Sequence, residues 1–125
     1  MEAQTKAYKT LRLLFGLLPI AAGLDKFLNL LVDWEMYLSP TLASLIPMSP
    51  GSFMILVGII EIIAGILVFT RHTKIASIIV SAWLVLIALN LLLAGYYDIA
   101  VRDIALAISA YVLYILAPQQ NPTQA

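Results

Sequence analysis

The stretch "FMILVGIIEIIAGILVFTRHTKIASIIVSAWLVLIALNLLLA", Phe53 to Ala94, decides the fold. It holds two apolar runs, about 53–70 and 75–94, split by the basic turn "TRHTK". A helix of about 20 such residues crosses the hydrocarbon core of a bilayer. A turn this short makes the two helices antiparallel neighbours. Two further runs flank them, about 11–32 and 99–117. They are set off by "SPTLASLIPMSPGS", with Pro40, Pro47, Pro50 and Gly51, and by "AGYYD". The expected architecture is all-α: an integral membrane four-helix up-down bundle in one domain, residues 1–117. The polar stretch 118–125, "PQQNPTQA", reads as a disordered tail.

Composition agrees. The chain is 62% hydrophobic and 11% charged, against roughly 25% charged in a soluble domain. Its mean hydropathy is +0.99. A globule of this size would lack the polar surface to cover itself. Net charge is zero, and no run of Lys or Arg suggests nucleic acid. Without cysteine, disulfides, thiol catalysis and Cys-ligated metal are excluded for this chain. The single histidine, His72, excludes a bis-His haem held within one chain, and we expect no metal site. Any electron carrier must be diffusible or belong to a partner. GxxxxGK[ST], GxSxG, HExxH and GxGxxG motifs do not occur.

Basic residues orient the spans. Lys6, Lys9 and Arg12 flank the first run, and Arg71 and Lys74 lie in the turn between the second and third. The loop after the first run carries Asp33 and Glu35 but no base. The positive-inside rule therefore places both termini in the cytoplasm. "LLFGLLPIAAG" after Arg12 also has the form of a signal-peptide core with a small-residue cleavage site. The apolar run continuing through "FLNLLV" favours a retained span.

Small residues suggest the packing faces. Gly16 and Gly23, and likewise Gly58 and Gly65, are seven apart, about two helical turns. Ala100, Asp103, Ala107 and Ala110 form a stripe in the last run. Such faces let membrane helices approach closely.

Counting about 1.5 Å per residue puts every strongly polar residue within the spans in the outer half. Asp25, Lys26 and Asn29 lie roughly 20–27 Å up, Glu61 roughly 12 Å down from the outside, and Asn90 roughly 22 Å up. Asp98, Arg102 and Asp103 lie near the outer surface. Lys26 and Asn29 share one face with Pro19 and Ala22, Glu61 stands on the Gly58–Gly65 face, and Trp83 aligns with Asn90. A lone charge at mid-bilayer costs about 2.5–3.5 kcal/mol, so Glu61, the deepest, needs a partner or a proton. Lys26 is the best-placed base and Arg102 the next; Asp103 or Asp25 would match Arg102.

Asp98 is expected to N-cap the last helix and to pair with Arg102 four residues on. Asp25 reads as interfacial, Trp34, Tyr37, Tyr96 and Tyr97 as an aromatic belt, and His72 as solvated. The polar cluster either fixes helix register or forms a small pocket opening outward.

The order Arg12, Gly16, "GLDKF", "EIIAGILVFTR" and "NLLLAGYYDIAVRDIALAISA" resembles the DoxX-like family of small bacterial four-helix membrane proteins, over about residues 11–117. That family is named for a subunit of an archaeal thiosulfate:quinone oxidoreductase. Relatives are linked to methylamine utilisation and membrane-anchored oxidative-stress complexes. The resemblance implies a multi-pass protein of the bacterial cytoplasmic membrane, acting as an accessory or quinone-interacting subunit of a redox system. It implies a redox partner subunit or a homo-oligomer, no covalently bound cofactor, and quinone as the ligand. Lys26, Glu61, Asn90, Arg102 and Asp103 carry over as the cluster; burial of its carboxyl makes Glu61 the expected proton-exchanging group. "AAGLDKF" lacks the aromatic-His-Gly usual before the Lys, so no histidine chemistry carries over. A non-catalytic membrane scaffold and a small-solute carrier are the alternative expectations.

Overall fold

A computed structural model describes residues 2–31 and 33–118. The expected tail lies outside the described residues from residue 119 on. The order is α1 (Glu2–Leu28), a 3-10 turn (Trp34–Tyr37), α2 (Pro40–Leu45), α3 (Pro50–Val68), α4 (Thr73–Ala94) and α5 (Tyr97–Leu116). Among the described residues there is no strand. Among the described residues three helices, α3, α4 and α5, are long and apolar enough to cross a membrane.

Helix boundaries follow local chemistry. α1 begins nine residues before the expected span, because nothing in "EAQTKAYKT" breaks a helix. An exposed Glu2–Lys6 ion pair of 3.3 Å adds a few tenths of a kcal/mol there. The helix stops at Leu28, short of the expected 32, because Asn29 turns left-handed at φ 51°. Asn is among the few residues that adopt this conformation readily. The breakers Pro40 and Pro50 turn out to start helices. Each follows a serine, Ser39 or Ser49, that caps the helix by accepting an amide hydrogen bond. Gly95, at φ 89°, ends α4.

The long helices pack as two intimate pairs, α1 with α3 and α4 with α5. Contacts of α3 with α4 and of α1 with α5 join the pairs. Glycine makes the first pair close. A Cβ on Gly23 would stand 2.5 Å from the Gly58 carbonyl oxygen, and one on Gly65 would stand 2.5 Å from that of Gly16. In the second pair Ala100, Ala107 and Ala110 are buried. The Ser81 hydroxyl donates to the Ala107 carbonyl at 2.7 Å.

The apolar core sits toward one end, around Phe15, Val68, Ala76, Val80, Ala110 and Leu113. The basic residues used above to orient the chain have a second task there. Arg12 Nε donates to Val68 O at 3.0 Å, and Nη2 to Phe69 O at 2.7 Å, at the C-terminus of α3. Lys74 Nζ donates to Tyr114 O at 2.8 Å at the C-terminus of α5. Cations satisfy both the orphan carbonyls and the negative end of the helix dipole. His72 is exposed, as expected.

Candidate functional site

The polar residues gather at the opposite end. Gly58 leaves room for the Lys26 stem, whose Cβ lies 3.2 Å from where a Cβ on Gly58 would stand, and the long side chain reaches along the antiparallel α3 to Glu61, one turn on from Gly58. Lys26 Nζ lies 2.5 Å from Glu61 Oε1, and the two side chains are 5% and 8% exposed. Removing two charges from water is expensive, and the pair offsets that cost only if both charges stay matched. The Trp83 indole N–H from α4 is buried facing the Glu61 carboxylate, without reaching full hydrogen-bond geometry.

The Trp34 ring lies over the ammonium, with Lys26 Nζ 3.8 Å from its centroid. A desolvated cation–π contact of this kind contributes about 2 kcal/mol. Reading Trp34 as a belt residue missed this. No spacing rule predicts it, because the chain reverses at Asn29 before reaching Trp34. Trp34 continues into an edge-on aromatic series with Tyr37 (6.3 Å) and Tyr96 (4.9 Å from Tyr37).

Asp25 is not the interfacial residue expected; it is 5% exposed. Its carboxylate accepts from Leu30 N at 3.0 Å, from Leu31 N at 3.1 Å and from Trp34 Nε1 at 2.8 Å. It organises the chain reversal and holds the indole over Lys26. Asn29 does not join the cluster either. It is exposed, and its left-handed backbone is what ends α1. Asn90 anchors the same loop from α4: Oδ1 accepts from Ser39 N at 2.9 Å and Nδ2 donates to Tyr37 O at 2.7 Å.

Asp103 on α5 is buried and lies within electrostatic reach of both Lys26 and Glu61. Arg102 is not an interior base. Its side chain is 64% exposed, and Nε pairs with Asp103 Oδ1 at 3.2 Å. That is one of the pairings expected for Arg102; the one with Asp98 does not form. Asp98 is exposed in the first turn of α5, and the N-cap position belongs to Tyr96. Among the described residues no group of acids or histidines is arranged to hold a metal.

Replacing Asp25 by alanine should leave two backbone amides and the indole N–H without their acceptor. A destabilisation of about 1–3 kcal/mol is expected. In a Trp83→Phe background, Trp34 emission should shift to longer wavelength as the indole leaves Lys26. An unmoved emission maximum would mean that Asp25 does not position the ring.

The site therefore offers a buried ammonium, two carboxylates and an aromatic face, a set able to hydrogen-bond a polar head group and to exchange a proton. No family model matches the chain, and no curated protein or solved structure matches it. The DoxX-like resemblance thus rests on the short motifs alone.

Proposed function

We propose that the protein is a four-span membrane protein with both termini in the bacterial cytoplasm, built as a DoxX-like four-helix bundle. In this reading α1 is the remaining span and the Lys26–Glu61–Asp103 cluster occupies the outer half. Its function is that of an accessory subunit of a membrane redox system that binds the head group of a quinone. The observation that carries this is the buried Lys26–Glu61 pair beneath Trp34. Lys26 Nζ would donate to a quinone oxygen, Trp34 offers a flat face for the ring, and Glu61 is the proton-exchanging group. Electrons would pass to or from a partner subunit, since the chain has no cysteine and one histidine.

Quinone measured in the detergent-purified protein tests this. Ubiquinone or menaquinone should co-purify in near-stoichiometric amount and fall at least tenfold in a folded Glu61→Gln variant. Equal traces in both proteins would remove the quinone reading.

A second reading, a non-catalytic scaffold, is favoured by the saturation of Lys26, which already has a carboxylate and an aromatic ring as partners. A membrane partner surviving pull-down without any bound quinone would support it.

A further inference from the structure

The two helix pairs share one design. In α1–α3, Gly16 and Gly23 lie against Gly65 and Gly58. In α4–α5, Ser81 bonds to Ala107, and Ala88 and Ala100 are buried. Matching the Gly16–Gly65 contact on the Ser81–Ala107 contact sets Gly23 on Ala88 and Gly58 on Ala100. The acid then coincides. Glu61 follows Gly58 by three and precedes Gly65 by four, and Asp103 stands likewise between Ala100 and Ala107.

Two features that did not set this register agree with it. Asp25 falls on Asn90, and both side chains accept amides from the loop between α1 and α2. The left-handed terminators Asn29 and Gly95 correspond within one position. Outside this register, a base of each first helix, Arg12 or Lys74, also caps the end of its partner helix, with Arg12 three positions from the place that matches Lys74. The register departs at functional positions: Leu91, 3% exposed, stands where the first pair has Lys26, and Arg102 and Trp83 match Ile60 and Leu18.

We propose that the bundle is a parallel tandem repeat of one helical hairpin, in which Glu61 and Asp103 are alternative partners of the single ammonium of Lys26. α1 packs against α5 as well as α3. Asp103 is buried, and it pairs with the largely exposed neighbouring Arg102. The ammonium meets Glu61 from α3 and Trp34 from the loop, Asp103 from α5 lies within electrostatic reach with Arg102 at the rim, and the Trp83 indole from α4 faces Glu61. Asp25, from α1 itself, is bonded to loop amides. Exchange of Lys26 between the two acids links one hairpin to the other, and it does so whether or not a quinone binds.

Thermal midpoints of the full chain in detergent test the proposal. Glu61→Gln and Asp103→Asn should each lower the midpoint modestly, because the other acid takes over. The double variant should lose more than the sum of the two, since residues sharing a partner are non-additive. Lys26→Leu should lower the midpoint, and adding Leu91→Lys should restore at least half of that loss by returning an ammonium at the repeat-related position. A double variant no worse than Glu61→Gln overturns the proposal, as does a Lys26→Leu/Leu91→Lys protein melting below Lys26→Leu. If Glu61→Gln does not fold, the lysine transplant alone decides.

Discussion

Lys26→Met should destabilise the protein by about 3–5 kcal/mol, the loss seen when one partner of a buried ion pair is removed. The variant leaves the Glu61 carboxylate, 8% exposed, without its ammonium, and leaves Trp34 over a neutral thioether. Methionine fills a similar volume, so the effect comes from charge and not from a cavity. The companion variant Lys26→Met/Glu61→Leu removes both charges and should regain most of the loss. Unfolding by titration with a denaturing detergent measures both. A double variant as unstable as the single one would mean that the residues matter through packing, not through their pairing.

The second large effect concerns backbone approach. Gly23→Ala and Gly65→Ala should each cost roughly 1–3 kcal/mol, the usual range for overpacking, although alanine is the better helix former by about 1 kcal/mol. The clash decides the sign, because each new Cβ would meet a backbone carbonyl at 2.5 Å. Backbone cannot swing aside as a flexible side chain can. Gly51→Ala is the control: its Cβ would meet only the Glu35 carboxylate, at 3.6 Å. It should be neutral or slightly stabilising. Separating α1 from α3 would also draw Lys26 from Glu61, so Gly23→Ala should weaken the polar site, whereas Gly65→Ala, at the far end, should do so less.

Most of the helical framework was legible in the chain. Apolar runs of span length and the breakers between them gave α3, α4 and α5 within a few residues, because a helix in an apolar phase must satisfy its own backbone. The errors fell at α1, where solubility and helicity part company: "EAQTKAYKT" is polar yet helical. Glycine spacing anticipated the α1–α3 contact, since a residue without a side chain leaves room that only another helix fills. Depth and face together singled out Lys26 and Glu61 because both residues lie within regular helix, where position along the chain converts to position in space.

That conversion ends where the helices end. The sequence by itself determined the helical class, the apolar stretches, the small packing faces and the Lys26–Glu61 match, all consequences of the period and rise of one element. Tertiary structure alone decided that Asp25 holds the reversal, that Asn29 terminates α1 instead of joining the cluster, and that Trp34 covers Lys26. It also decided that Asn90 anchors the loop and that Arg102 points outward. Each of these depends on the path taken after the left-handed turn at Asn29 or on how α5 is rotated against its neighbours. No periodicity records a loop's path, and a one-residue rotation separates the buried Asp103 from the exposed Arg102.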